Sequence, residues 1–435
     1  NFEKPGGVLF PNKFDISDFY RTILPSSQKK SSFGTGFNLP TDSLDHVFRN
    51  LDFGHTGAVD TLLIHRLNPM FEATHPSRIK DALNEIPFII ASSTFLDETA
   101  MLADLILPEP TGLESWNLSQ TIPTVEYAHM GVQQPIIPAL YNNRQIGDVL
   151  LEVAQKLSPE IRRRLHWESY FDFIQAAAES IYQSGEGTII SESRDYSWIK
   201  YLKARGWQTF DYSTFEEFWT VLLENGGWWN PVYTKKERQI YHNRSGKFEF
   251  YSTTLANAFQ NIIASRENSA IDLEQLLSEV MINDRGDNVF LPHFEQPRTA
   301  TFDAKYPLQL FSYPILTNQP RSGATLGLMQ ELSGIISREY WQLWAEINPD
   351  TADQYGIEED EYLDIISKYG NLSIKAKLRP TVMPGSIMLP YGRFGSSNQN
   401  TIYQLFSSDQ DRISGIPSLI STKIKIKKSA RQDHV

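Results

Sequence analysis

Residues 60–108 read DTLLIHRLNPMFEATHPSRIKDALNEIPFIIASSTFLDETAMLADLILP, and this stretch decides the fold. Asp60–Ile64 is an apolar run rich in strand-forming residues, and it is punctuated by Asn68-Pro69. From His75-Pro76-Ser77 a helical pattern runs through Ile79, Ala82 and Leu83. Pro87–Ala91 reads as a second strand, and Asp97–Ala103 as a short helix with acids in its first turn. Asp104–Pro108 reads as a third strand. Continuous apolar strands with helices between them predict a parallel sheet covered on both faces. Such sheets bind ligands at the carboxyl ends of their strands. Here those ends are Arg66–Phe71, Ser92–Glu98 and Pro108–Glu114.

Upstream, residues 1–57 are turn-rich. The pair Gly34-Thr35-Gly36 lacks the third glycine and the preceding strand of a phosphate loop, so it reads as an ordinary loop. Downstream, Ile146, Val149, Leu150, Val153, Ala154 and Leu157 fall on one helical face of Arg144–Leu157, which is expected to cover the sheet. Residues 158–245 are aromatic and charged, with helices expected near Tyr170–Tyr182 and Phe215–Asn225. The second is broken by Gly226-Gly227-Trp228-Trp229-Asn230-Pro231. Phe248 and Phe250 alternate in Gly246–Ser252, which predicts a strand; Leu273–Met281 predicts a helix, and residues 283–305 a linker.

Past residue 306 the pattern changes. Short strands are expected at Leu308–Ser312, Trp344–Ile347, Tyr362–Ser367, Leu372–Leu378, Ser386–Leu389 and Lys423–Ile426, with close turns between them. That spacing predicts a β-barrel. Lys423, Lys425 and Lys427 alternate with Ile424 and Ile426, the pattern of a solvated face on an edge strand. The expected organisation is an α/β cofactor-binding region at 1–157, a mixed helical and linker region at 158–305, and a barrel at 306–435.

Composition narrows the function. Among 435 residues, 40 Lys+Arg against 52 Asp+Glu give a net charge of −12, which excludes a broadly basic nucleic-acid binder. The chain has no cysteine, so it carries no disulfide, no iron–sulfur ligation and no thiol nucleophile. No apolar run approaches the roughly 18–20 residues of a membrane span. The first residue is Asn1 rather than Met and no signal-peptide pattern follows it, so a piece of a longer or processed chain is expected.

No usual catalytic constellation is present, and the nine histidines lack metal-ligand spacing. His65 and His75 flank the first strand end. The acids Asp97, Glu98 and Asp104, with Glu109 and Glu114 beyond, have two readings. Acids cap helix N-termini. Carboxylates at strand ends also accept the paired donors of a ribose or a base. Two polar, glycine-bearing loops, Thr317–Gly323 with Arg321 as a bidentate donor and Leu389–Asn398, leave ligand-binding and plain-loop readings level.

In order, the pieces resemble the C-terminal half of the molybdopterin oxidoreductases, the dimethyl-sulfoxide-reductase-like enzymes. The matching segments are Asn1–Gly7 (NFEKPGG), Asn68-Pro69, Asp97–Pro108 (DETAMLADLILP) with Glu114, Gly246–Ser252 (GKFEFYS) and Glu346–Ile357 (EINPDTADQYGI). Leu140–Leu157 looks most like respiratory members: polysulfide and thiosulfate reductases, the quinone-reductase complex of sulfate reducers, and alternative complex III. The resemblance implies a Rossmann-like α/β region, a C-terminal double-psi β-barrel, and a molybdenum bis(guanine dinucleotide) cofactor between them. By position, Asn68, Pro69, Asp97, Glu98, Thr99 and Asp104 match nucleotide-contacting strand ends. Thr317, Asn318 and Arg321 match the first barrel loop, and Gly392 and Asn398 the last. Catalytic residues, metal ligand and cluster are expected outside this chain.

Implied partners are the missing N-terminal half, an iron–sulfur electron-transfer subunit and a membrane quinone-interacting subunit, at the outer (periplasmic) face of the cytoplasmic membrane. Arg66 and Asn117 stand where the family commonly has glycine. They leave two readings open, a cofactor-positioning subunit or a cofactor-free scaffold that keeps the fold.

Overall fold

The computed structural model describes residues 59–73, 76–120, 128–189, 212–230, 245–265, 272–295, 303–315, 326–332, 341–391, 402–407 and 422–430, with residues 19, 20, 23, 47, 48, 204, 243, 409, 411, 413 and 416. The motif at residues 1–7, the glycine pair at 34–36 and His75 lie outside them. The chain divides into two compact units, residues 1–30 with 107–248, and residues 31–106 with 249–435.

The second unit opens with the α/β segment. Strands β1 (Thr61–His65) and β2 (Phe88–Ser93) pair in parallel, Leu62 opposite Ile89 and Ile64 opposite Ala91. Strand β3 (Leu105–Pro108) completes a sheet of order β1-β2-β3. Helices α1 (Pro69–Glu72) and α2 (Pro76–Asn84) lie between β1 and β2. Ile79, Ala82 and Leu83 of α2, at i, i+3 and i+4, pack with Ile64, Ile89, Ala73 and Phe48. The expected cover on both faces is not complete among the described residues: Leu63, Phe88 and Leu105 are exposed. The expected helix at 97–103 is a single 3₁₀ turn, Ala100–Leu102.

The barrel is closed, with strand order β10-β11-β9-β12-β8-β13. Its strands are β8 (Leu308–Pro314), β9 (Trp344–Ile347), β10 (Tyr362–Ser367), β11 (Asn371–Leu378), β12 (Ser386–Tyr391) and β13 (Lys423–Lys428). Alternate residues, among them Leu310, Ala345, Ile347, Leu363, Ile365, Ile374, Ile387, Leu389 and Ile424, fill the interior. Strand β13 pairs with both β10 and β8. It is therefore a wall strand and not the edge expected from its lysines, which line its outer side while Ile424 and Ile426 point in. The segment EINPDTADQYGI is a strand-to-helix cassette. Asn348 caps helix α10 (Pro349–Tyr355) by accepting from the Asp350 N–H, Pro349 takes the first helical position, and Gly356 stops the helix at φ +63°.

Helices α7 (Thr253–Ser265) and α8 (Leu273–Val280) bury Ala256, Phe259, Leu276 and Leu277 together with Val289 and Phe290. The expected linker at 283–305 thus contains a core-forming 3₁₀ turn, Gly286–Phe290. Gly246–Ser252 is not a strand: its backbone joins no sheet, Phe248 and Phe250 are exposed, and the Ser252 hydroxyl accepts from the Leu255 N–H to start α7.

The first unit holds an antiparallel sheet of order β4-β5-β7-β6, formed by β4 (Asn117–Gln120), β5 (Ala128–Gln133), β6 (Thr188–Ile189) and β7 (Gly227–Asn230). The tryptophans read as a helix breaker are strand β7: Trp228 and Trp229 are buried opposite Met130 and His129. Helix α5 (Tyr170–Ser184) and helix α6 (Phe215–Asn225) cover this sheet through Ile174, Ala178, Ile181, Phe218 and Leu222. Helix α3 (Ile146–Leu157) forms where expected but turns a different face inward. Leu151 and Ala154 are buried, whereas Leu150, Val153 and Leu157 are exposed. It packs against α5. A Cβ at Gly147 would stand 2.4 Å from the Tyr170 ring, and Asp148 accepts from the Tyr170 N–H at 2.7 Å. A close approach through glycine carries no apolar signal, so periodicity chose the other face.

Candidate functional site

The carboxyl ends of β1 and β2 carry the strand-end residues. The chain leaves β1 through Arg66, whose N–H donates to the Ser92 carbonyl at 2.9 Å and whose φ is +50°. That left-handed conformation is the one glycine adopts freely. Arg66 therefore occupies a glycine-type backbone. Asn68, 8% exposed, then turns the chain into α1, its carbonyl accepting from the Phe71 and Glu72 N–H groups.

The side chains of Asn68, Glu98 and Thr99 form one network. The Asn68 amide donates to Glu98 Oε2 at 2.7 Å. The Thr99 hydroxyl donates to Asn68 Oδ1 at 2.7 Å and accepts from the Met70 N–H at 3.1 Å. Thr99 is 1% exposed, so this hydroxyl is fully committed. Asp97 Oδ1 accepts from the N–H groups of Thr99 (3.1 Å) and Ala100 (2.8 Å), which makes it the cap of the 3₁₀ turn. Burial, reinforced by the neighbouring Glu98 charge, holds the Asp97 carboxyl above its usual range, while the backbone donors pull the other way. Glu98 is half-buried, and among the described residues only its Oε2 is hydrogen-bonded.

Asp104 is elsewhere. Its Oδ2 accepts from the Ile89 N–H at 2.8 Å, and its own N–H donates to the Ile89 carbonyl. It brackets the amino end of β2, at the other end of the strand from Ser93. His65 contacts the Ser92 hydroxyl at 3.3 Å.

In the first unit, Glu114 is a loop clamp. Its carboxylate accepts from the Thr111 N–H and hydroxyl, the Leu140 N–H and the Asn143 amide. These donors, Leu140 first, lower its pKa to about 2. Buried Glu109 accepts from the Ile146 N–H at 2.6 Å and so starts α3. Glu109 thus serves the backbone, and Glu114 backbone and side-chain donors together.

In the barrel, β8 and β12 are parallel neighbours, Tyr313 opposite Pro390 and Pro314 opposite Tyr391. The ends of these two strands, ahead of the two polar segments read from the sequence, therefore lie side by side at one end of the barrel. Thr317, Asn318, Arg321, Gly392 and Asn398 themselves lie outside the described residues. A group the sequence reading did not single out, Tyr313 with Glu346 and Trp344, sits beside this end; only its place near two strand ends could have flagged it. Among the described residues no cluster of three His, Asp or Glu could hold a metal ion.

Residues 329–423 match the family model described as Molydopterin dinucleotide binding domain. The arsenate respiratory reductase molybdopterin-containing subunit of Shewanella sp. (strain ANA-3) is 23% identical over 381 residues, 82% of this chain and 43% of that protein. The menaquinone reductase, molybdopterin-binding-like subunit of Nitratidesulfovibrio vulgaris (strain Hildenborough) is 30% identical over 125 residues, 29% of this chain and 18% of that protein. Among solved structures, acetylene hydratase from Pelobacter acetylenicus superposes with a TM-score of 0.55 at 15% identity, covering 88% of this chain and 46% of that one. The last likeness is one of fold alone: mixed α/β, with a closed barrel. Together the matches support a molybdopterin oxidoreductase of the dimethyl-sulfoxide-reductase-like kind. It spans less than half the length of the relatives it matches.

Proposed function

We propose that this chain is the cofactor-positioning C-terminal part of a molybdopterin oxidoreductase subunit in a membrane-associated respiratory electron-transfer complex. The observation that carries the reading is the parallel pairing of β8 with β12, which puts the strand ends ahead of the two polar segments side by side, β12 and the second segment lying inside residues 329–423, which match a dinucleotide-binding family. In this reading the barrel is of the double-psi type. Thr317, Asn318, Arg321, Gly392 and Asn398 hold one guanine dinucleotide, and the strand ends at Asn68, Pro69, Asp97, Glu98 and Thr99 face the other, with Asp104 supporting β2.

The described residues fit that ligand at one point in particular. The Thr99 hydroxyl fixes Asn68 and the Asn68 amide holds Glu98 by Oε2, which leaves Glu98 Oε1 to accept a ribose hydroxyl or a guanine amino group. The bound group supplies two-electron chemistry at molybdenum. This chain's residues bind and orient it, and the metal ligand, the iron–sulfur electron-transfer subunit and the membrane quinone-interacting subunit are supplied from outside, at the periplasmic side of the membrane.

A second reading, a cofactor-free scaffold, is favoured by two observations. Most strand-end polar groups are spent on one another, and Arg66 stands on a glycine-type backbone beside them. Metal and pterin analysis of the intact native protein separates the two. Molybdenum or tungsten with a pair of pterin guanine dinucleotides per chain supports cofactor positioning. A protein that assembles with its partners and contains neither is the scaffold.

A further inference from the structure

The segment after α8 is folded back on itself by one carboxylate. Met281 stops α8 in the left-handed conformation, at φ +63°. The chain then enters the 3₁₀ turn Gly286–Phe290, which buries Val289 and Phe290 with α7 and α8. The Ser252 N–H donates to the Phe290 carbonyl at 2.7 Å, which ties this turn to the start of α7. Glu295 next reaches back toward α8. Its Oε1 accepts from the Asn283 N–H at 3.0 Å and the Asp284 N–H at 3.3 Å, and its Oε2 from the Asn283 amide at 3.0 Å. The carboxylate thereby closes residues 283–295 into a loop around the turn.

His293 lies across that closure. Its Nε2 stands 3.1 Å from Glu295 Oε1, and its Nδ1 2.8 Å from the Leu291 carbonyl oxygen. A carbonyl and an ionised carboxylate only accept. A neutral imidazole carries one N–H and one lone pair, so it serves one of these oxygens and turns its lone pair on the other. The imidazolium donates to both. The placing of the two oxygens therefore selects the charged ring.

The surroundings favour the same state. The Leu291 carbonyl first, then Glu295 and the Asp284 carboxylate, hold the His293 imidazole above its ordinary value, while partial burial pulls the other way. Burial alone would raise Glu295, but its donors outweigh burial and keep it below the usual carboxylate range, so it stays ionised while His293 titrates. The cation beside them in sequence, Arg285, is turned to the Ile282, Asn283 and Asp284 carbonyls and to the Glu274 carboxylate of α8. The side chains of His293 and Glu295 are 19% and 29% exposed, so protons reach the ring without unfolding.

We propose that His293 and Glu295 form a proton-dependent clasp on the loop that closes the α7–α8 helical module, fastened by two hydrogen bonds of the ring when His293 is charged and by one when it is neutral. The clasp's contribution to stability is complete below the ordinary histidine value of 6.5 and is lost as pH rises through the higher folded value. Phe294, 83% exposed, stands between the two partners and is released with them.

The test uses the full-length protein, unaltered and as His293→Gln and Glu295→Gln. Two quantities are read by peptide mass spectrometry from about pH 5 to about pH 9. Deuterium exchange at the His293 ring C–H reports its titration midpoint. Backbone amide exchange across residues 281–295, taken relative to the intrinsic rate at each pH, reports the loop, with α7 as the reference for the module as a whole. His293 titrates above 6.5, and Glu295→Gln moves the midpoint down. Loop exchange rises about threefold to tenfold across the midpoint, the worth of about one hydrogen bond, with no matching step in α7. His293→Gln donates to one oxygen only, so its loop exchanges at the raised level at every pH. A midpoint at or below 6.5 would overturn the proposal, as would a step of the same size in His293→Gln. If Glu295→Gln loosens α7 as well, His293→Gln alone decides, because it leaves the backbone donors of Glu295 in place.

Discussion

The Asn68 amide and the Glu98 carboxylate meet at 2.7 Å across the ends of two parallel strands, thirty positions apart in sequence. The bond turns Glu98 from a free acid into a fixed part of the wall. It also explains why Asn precedes Pro69. Only a side chain with a donor and an acceptor can serve Glu98 and Thr99 at once.

Thr99→Val removes the hydroxyl that joins Asn68 Oδ1 to the Met70 N–H and leaves two buried partners unpaired. The expected loss is about 1–3 kcal/mol of unfolding free energy. Glu98→Gln still presents an oxygen to the Asn68 amide and costs less. Urea unfolding of the two variants side by side checks the order.

Arg66 supports a second prediction. Its φ of +50° is costly for any residue with a Cβ. Arg66→Gly is therefore more stable than Arg66→Ala by about 1 kcal/mol. Using alanine as the reference removes the arginine side chain from both sides of the comparison. Equal melting temperatures for the two variants would contradict it.

Glu114 sets a pH window. Its folded pKa, about 2, lies below the ordinary glutamate value of 4.5, so the clamp's contribution is complete above pH 4.5 and is lost as pH falls toward 2. Exchange of the Leu140 amide, taken relative to its intrinsic rate at each pH, should rise as pH falls across that window in the unaltered protein. In Glu114→Gln it should already be raised at neutral pH and vary less.

Gly147→Ala tests the docking of α3. The added Cβ would meet the Tyr170 ring at 2.4 Å, so helix or ring must move. A loss of about 1–3 kcal/mol is expected. Gly147→Ala with Tyr170→Ala should recover part of it, measured by thermal unfolding against the single variants.

The barrel was legible in detail, because its strands alternate strictly and end in turn chemistry. Trp344–Ile347 and Tyr362–Ser367 fall at the residues the pattern predicts. The order of β1, α2 and β2 was equally plain. Three features were hidden for physical reasons. Trp228 and Trp229 follow two glycines, and the sheet that buries them is built from distant segments. The inward face of α3 is chosen by a glycine. The Asn68–Glu98–Thr99 network joins residues whose types suggest capping and ligand binding equally, and only coordinates show that they bind one another.

Strand β13 bears on how the protein is made. It is the last of the described strands, yet it lies between β8 and β10, the first and third strands of the barrel. During synthesis those strands emerge long before their shared neighbour, and until residues 423–428 leave the ribosome the wall stands open along two edges. An open edge is a template for wrong pairing. The barrel therefore closes only after residues 423–428 have been translated, and until then β8 and β12 belong to an unfinished wall.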